Sequence, residues 1–255
     1  MPELTCKRSP IYRASIINSL YTSLTINDPG LAERCRPGQF FELRDPAMCG
    51  SEHKLFKPIS ISMVYDGLIS FIIKNVGTGT QSLCNLHEGD MIEYFGPLGN
   101  EFPLVENNRV VLVSGGIGYP PLLYLRGILA PRNQIIHLHG ATTFLDTIQA
   151  EENWLMEEGT ARTGYVTKGL ENYLNEYKAD IVYSCGPEPM LKAVAGMCKD
   201  KGLKNYASME AYMACAVGVC HGCAIPVGTE DNWDYLRVCK EGPVFDAETI
   251  RWELL

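Results

Sequence analysis

The chain has 255 residues, 46% of them hydrophobic, enough for one large domain or two to three small ones with ample core. Its 22 Lys and Arg face 30 Asp and Glu, giving a net charge of -8 with no basic run, which argues against nucleic acid or an anionic membrane surface as partner. No apolar stretch approaches the length of a membrane span, and the opening MPELTCKRSPIYRASI lacks the apolar core of a signal peptide, so a cytoplasmic protein is expected.

Three zones follow one another along the chain. Residues 1–105 hold short β-rich runs between turn signals: SPIYRASIINSL, SLYTSLTI, GQFFELR, ISISMV, LISFIIKNV and DMIEYFGPLG. Strands this short and frequent predict a small antiparallel barrel or sandwich. Within this zone, Lys57, Pro58, Ile59 and Ser60 place a cation, a rigid bend and a hydroxyl in succession. GTGT at 77–80 offers backbone N–H groups and two hydroxyls. Together they suit a phosphate-bearing ligand; each alone reads as a turn. FGPLGNEF, 95–102, reads as a Pro/Gly turn that closes the zone.

Residues 106–205 alternate. RVVLVSG is a short continuous apolar run, as in a buried parallel strand. YPPLLYLRGIL is a helix, NQIIHLHG a strand, and DTIQAEENWLMEE (146–158) and GLENYLNEY are helical segments. ADIVYSCG is a strand, and PEPMLKAVAGMCKDKG is a helix with proline near its start and glycine after its end. The alternation predicts an open α/β sheet of nucleotide-binding type. Gly115, Gly116 and Gly118 form a Gly-rich turn directly after one strand, and Cys185 and Gly186 stand at the end of another. Such strand ends are where open α/β sheets bind ligands. The first turn is not a complete dinucleotide fingerprint, and by itself it is equally an ordinary tight turn.

Residues 206–255 are short and cysteine-rich, and a segment of this kind needs a metal or a neighbouring domain to hold it. Of the ten cysteines, Cys6, Cys35, Cys49, Cys84, Cys185 and Cys198 are scattered and read as small hydrophobes. Cys215, Cys220, Cys223 and Cys239 instead have the spacing C-x4-C-x2-C followed by a fourth thiol, the plant-type [2Fe–2S] order. Zinc is the alternative, although only one pair has the C-x2-C spacing of a zinc knuckle. His221 lies within the loop and is read as a non-ligand, because four sulfurs are present without it.

Taken in order, KPISIS, KNVGTGT, FGPLGNEF, SGGIGYPPL, SCGPEPML and the four cysteines make the chain resemble, over nearly its whole length, the electron-transfer subunits of type B dihydroorotate dehydrogenase, within the ferredoxin–NADP reductase superfamily. The resemblance implies a multidomain α+β protein: an FAD-binding antiparallel β-barrel (1–105), an NAD-binding α/β parallel-sheet domain (106–205) and a small C-terminal [2Fe–2S] domain (206–255). It implies FAD contacts at Lys57, Pro58, Ile59, Ser60, Lys74, Val76, Gly77, Thr78, Gly79 and Thr80. It also implies a nicotinamide dinucleotide site at Gly115, Gly116, Gly118, Cys185 and Gly186, and cluster ligation by Cys215, Cys220, Cys223 and Cys239.

The chain departs from the family pattern at three places. Lys57 stands where the family has arginine, keeping the charge without the bidentate fork. Ala216 stands where a glycine is usual, and HGATTF replaces a Gly-Phe-Arg motif, leaving no basic residue for a ribose phosphate and favouring NADH. The expected activity is hydride exchange between NAD(H) and FAD, with single electrons passing through the cluster to or from an FMN-type catalytic flavoprotein in a heterotetramer. The same module serving a hydrogenase or an electron-bifurcating transhydrogenase is one alternative, and a zinc-stabilised, non-redox binding protein is another.

Overall fold

A computed structural model describes residues 5–52, 54–147, 152–155 (backbone only) and 163–255. Strands β1 (Lys7–Ile16), β2 (Tyr21–Asn27), β3 (Phe40–Arg44), β4 (Lys57–Tyr65), β5 (Leu68–Lys74) and β6 (Met91–Leu98) close into an antiparallel barrel in the order β1-β2-β5-β4-β3-β6. Closure leaves no unpaired edge. Strand alternation explains the interior: Ile69, Phe71 and Ile73 of β5 point inward with Leu24, Ile26, Phe41 and Leu43. Asp66 and Gly67, both at positive φ, make the two-residue turn that joins β4 to β5. Two short helices cap the barrel, α1 (Pro29–Ala32) and α2 (Thr78–Cys84). The segment read as a turn from residue 95 behaves differently, because Phe95–Leu98 continue β6. Pro97 lies where the β3–β6 register shifts between Phe40 and Glu42, a bulge that spares the missing N–H.

The second unit contains β7 (Arg109–Gly115), α3 (Tyr119–Leu129), β8 (Gln134–Ala141), β9 (Glu152–Leu155), α4 (Val166–Glu176), β10 (Ile181–Cys185), α5 (Glu188–Asp200) and β11 (Lys204–Ser208). The chain then forms a hairpin, β12 (Ala224–Gly228) and β13 (Trp233–Arg237), and a final strand, β14 (Val244–Asp246). The larger sheet has the order β14-β11-β10-β7-β8-β9, parallel except for β14. Alternate residues of β7 face opposite layers. Val110 and Leu112 pack under α3, whereas Val111 and Val113 pack under α4 and α5. This is the parallel α/β arrangement expected from the alternating pattern.

One expected element is corrected. The helix read over 146–158 is replaced at Glu152–Leu155 by strand β9, in register with β8. Positions 148–151 and 156–158 of that segment lie outside the described residues. The Ala/Glu-rich composition favours helix, but the open edge of β8 offers a ladder of backbone partners, and tertiary pairing overrides propensity. Among the described residues, no helix is long and apolar enough to cross a membrane.

Candidate functional site

The parallel sheet reverses direction of growth at β7: β8 lies on one side of it and β10 on the other. The crevice at this switch point is where open α/β sheets take ligands. Here it brings together the two Gly-containing turns singled out in the sequence. Ser114 pairs with Cys185, so Gly115 and Gly186 leave the sheet side by side. Gly118 is packed so tightly that a Cβ would stand 2.6 Å from the Gly186 amide nitrogen and closer still to the Cys185 carbonyl. Helix α3 begins there, but Pro120 and Pro121 in its first turn carry no N–H and the Tyr119 N–H already bonds the Gly116 carbonyl, so the crevice offers a ligand close backbone approach rather than a helix N-terminus of free amides. Cys185 is buried, which pushes its thiol well above the ordinary range with Glu210 adding to the shift, so it is a small packed residue rather than a nucleophile.

A cleft joins this crevice to the barrel. Pro58, Ile59, Ser60, Lys74, Val76 and Thr80 line its barrel side. Cys185, Met209 and Glu210 line the other. Lys57 lies across the Gly77–Thr80 loop, where a Cβ on Gly79 would run into the lysine stem and stand 3.1 Å from Nζ. The cation and the loop therefore form one cradle, as a pyrophosphate requires. The loop is more committed than the sequence suggested. The N–H groups of Val76 and Gly77 both donate to Thr80 Oγ1, at 3.0 and 3.1 Å, which leaves the first-turn amides of α2 as the ones open to a ligand. A flat apolar slot beside a cation fits a flavin dinucleotide. Lys74 has a second engagement: its Nζ lies 2.5 Å from Asp146 of the α/β unit.

The cysteine loop wraps because three of its residues adopt left-handed φ: Ala216 (52°), Gly218 (79°) and His221 (58°). Such reversals turn successive N–H groups toward one concavity. Val219 N and Cys220 N each donate to Cys215 Sγ at 3.3 Å, Gly222 N donates to Cys220 Sγ at 3.5 Å, and Cys239 N donates to Cys223 Sγ at 3.5 Å. Burial would raise the Cys215 thiol, but the N–H groups of Cys220, Val217 and Val219 outweigh it and draw the thiol down to about 6. Burial beside Cys223 pushes Cys239 up to about 12.

Backbone N–H bonds link the thiols two by two: Cys220 N donates to Cys215 Sγ, and Cys239 N to Cys223 Sγ. Two irons with two thiolates each suit that donor set. Ala216 shows why glycine is usual at its position: an L-residue held at left-handed φ costs about 1 kcal/mol. Its methyl is nonetheless buried with Cys223 and Cys239.

Several residues of the site carried no signal in the sequence. Arg237 donates to the Gly218 carbonyl at 2.6 Å and pairs with Glu241, pinning the cysteine loop to β13. Phe40 and Met209 line the cleft and also belong to the apolar cluster around Cys223 and Cys239. Glu42 is buried (3% exposed) on the same face of β3 as Phe40. Burial raises its carboxyl to about 8, with Lys57 opposing and Cys215 adding to the shift.

Between pH about 4.5 and 8 the folded chain therefore keeps a proton on Glu42 that the unfolded chain has released. Stability should fall as pH rises through that window and level off above it. A Glu42→Gln variant is expected to flatten the slope and gain on the order of 4 kcal/mol at high pH, checked by denaturant titrations at pH 5 and 8.5. Parallel curves for variant and parent would refute it.

Comparison with known proteins adds a pedigree to this geometry. Residues 210–251 match the family model of the iron-sulfur cluster binding domain of dihydroorotate dehydrogenase B. The chain is 37% identical over 221 residues to the dihydroorotate dehydrogenase B (NAD(+)) electron transfer subunit of Caldanaerobacter subterraneus subsp. tengcongensis, covering 84% of this chain and 86% of that one. It is 38% identical over 218 residues to the subunit of the same name from Clostridium acetobutylicum, covering 82% and 84%. Among solved structures, it superposes on an NADH-dependent reduced ferredoxin-NADP oxidoreductase studied for flavin-based electron bifurcation. That match has a TM-score of 0.83 and 26% identity, over 96% of this chain and 90% of that one. A ferredoxin NADP+ reductase from Neisseria gonorrhoeae, solved with FAD and NADP, shares the fold at a TM-score of 0.62 and 16% identity, over 82% and 95%.

Proposed function

We infer the function from the premise that this chain belongs to the family of dihydroorotate dehydrogenase B electron transfer subunits. It is an oxidoreductase subunit that passes electrons between NAD(H), FAD and a [2Fe–2S] cluster, to or from a catalytic dihydroorotate dehydrogenase partner. The observation that carries this reading is the sharing of Phe40 and Met209 between the cleft and the cluster core. The apolar cluster that holds Cys223 and Cys239 thus reaches the wall of the cleft.

Bound FAD would supply the conversion between two-electron and one-electron chemistry, and the cluster a one-electron relay. The chain's own residues bind, orient and exclude water. Lys57 and the first turn of α2 would hold the FAD phosphates. Pro58, Ile59 and Ser60 would line the site of its ring. Gly115, Gly116, Gly118 and Gly186 would let a nicotinamide dinucleotide approach the backbone at the end of β7, with Cys185 as a small packed residue of that site. Cys215 and Cys220 would hold one iron, Cys223 and Cys239 the other, with amide N–H groups stabilising the sulfurs. The division into a barrel of 1–105, an α/β unit of 106–205 and a cluster unit of 206–255 follows these three tasks, except that the last boundary cuts β11 and that β14 of the third zone completes the sheet of the second. The ten unpaired thiols support placement in a reducing cytoplasm.

A second reading draws on the ferredoxin-linked neighbour, whose superposition extends over 96% of this chain: the same module would serve another oxidoreductase. Mixing the protein with its cognate catalytic subunit separates the two. Dihydroorotate-dependent reduction of NAD+ is expected. Absence of that activity, with NADH-driven reduction of ferredoxin instead, would favour the second reading.

A further inference from the structure

A polar network that begins at Lys74 of the cleft crosses the boundary between the barrel and the α/β unit. Asp146 ends the single-turn helix Phe144–Asp146 just beyond β8 and is buried (3% exposed). Its Oδ1 accepts from Lys74 Nζ at 2.5 Å and from Tyr21 Oη at 2.6 Å, both on the barrel. Beside it, Asn18 Nδ2 donates to the Leu145 carbonyl at 2.9 Å, a third bond from barrel to α/β unit.

Hydrogen-bond chemistry fixes the direction of the rest. The Asp146 carbonyl can only accept, so His139 Nε2, 2.8 Å away, carries a proton. Both imidazoles are neutral, because burial lowers His137 to about 3 and His139 to about 4. His139 Nδ1 must then accept, at 2.8 Å, from Ser114 Oγ, which in turn accepts from His137 Nε2 at 2.7 Å. The Tyr119 ring lies over both imidazoles, with centroids at 5.5 and 6.0 Å.

The two ends of this chain matter. Lys74 is two residues before Val76, where the FAD-cradling loop begins, and Ser114 immediately precedes the Gly115–Gly118 turn. We propose that Asp146 is a positioning residue that ties the two dinucleotide-binding loops together and so sets the gap between nicotinamide and flavin. This rests on the reading that NAD(H) and FAD meet in this cleft. The bonds run from one loop to the other through packed, neutral or charge-matched groups, and no part of the network reaches the cysteine loop. Hydride transfer is steep in geometry: a misplacement of about 1 Å costs on the order of 100-fold in rate.

The test uses the FAD-loaded protein in its complex with the catalytic subunit. Flavin reduction by NADH is followed by stopped flow across NADH concentrations, and amide exchange is followed over residues 75–80 and 114–119. Asp146→Asn keeps the shape and an acceptor for Tyr21 but removes the charge that holds Lys74. It should lower the limiting rate of flavin reduction about 10-fold or more, leave the NADH dissociation constant within about threefold, and speed exchange in both loops together. Tyr21→Phe, a milder change that spares the ion pair, should give the same pattern at about threefold. FAD content and cluster absorbance should match the parent in both.

An unchanged limiting rate would overturn the proposal, as would a loss that merely follows lost FAD, or faster exchange in neither loop. If the parent flavin itself is not reduced by NADH, the functional reading fails, and the exchange data alone then decide whether the tie exists.

Discussion

Cys220→Ser is expected to lose the [2Fe–2S] cluster, retain FAD, and reduce electron delivery to the catalytic partner by about 100-fold or more. A serine oxygen is a harder, far less acidic ligand than a thiol and holds iron less well beside sulfide. Cys220 is exposed and lies in the loop whose amides converge on Cys215. Its loss should therefore stay local. The barrel side of the cleft, where the FAD-binding residues are proposed, comes mainly from β4, β5 and α2, none of which contains a cluster cysteine. Flavin reduction by NADH should survive while transfer onward fails. Iron and acid-labile sulfide analysis, the visible spectrum and turnover with the partner check this. A variant that keeps both its cluster and its transfer would show that the ligand assignment is wrong.

Gly118→Ala should be the most damaging single methyl in the nucleotide region. The new carbon would enter the space of the Cys185–Gly186 backbone, including a 2.6 Å approach to the Gly186 nitrogen. These atoms end β10, which is hydrogen-bonded on both sides, to β7 and β11, and cannot step aside. Overpacking against fixed backbone costs about 3 kcal/mol or more, and here it also spreads the crevice that receives the dinucleotide. NADH affinity should fall at least about 10-fold with FAD still bound. Gly116→Ala is the contrasting control. Its Cβ would meet nothing within 4 Å, so only the left-handed φ of 51° is strained. That costs about 1 kcal/mol. Equal effects of the two substitutions would contradict the packing argument. Denaturant unfolding together with NADH titration provides the measurement.

The legible parts of this chain are those governed by local pattern. Six short β runs became the six strands of the barrel, and the two Gly-containing turns of residues 106–205 stand at the ends of the parallel strands β7 and β10. The cysteine spacing was legible because four thiolates on two irons impose it. What escaped the sequence depends on distance along the chain. Lys74 was read only as a cofactor residue; its partner Asp146 is 72 positions away. Arg237 grips the loop carbonyl of Gly218 across 19 positions, and nothing in RVCKEG marks it. Glu42 looks like an ordinary polar residue of a half-buried strand, but the outer face of β3 is covered, and Phe40 there belongs to the same apolar cluster as Cys223 and Cys239. Strand β9 was misread because its residues favour helix locally while the β8 edge decides their conformation. Ala216 shows the reverse: a departure noticed in the sequence acquires its physical meaning only from its φ of 52°.

The central claim is that one chain couples a hydride carrier to a single-electron relay. An anaerobic reductive titration of the purified protein with NADH, followed in the visible region and by electron paramagnetic resonance, tests it most directly. The account predicts bleaching of the flavin, a paramagnetic signal from the reduced cluster, and uptake of about three electron equivalents per chain, two at flavin and one at the cluster. A colourless protein that contains zinc, lacks acid-labile sulfide after anaerobic reconstitution and takes up no electrons from NADH would contradict it.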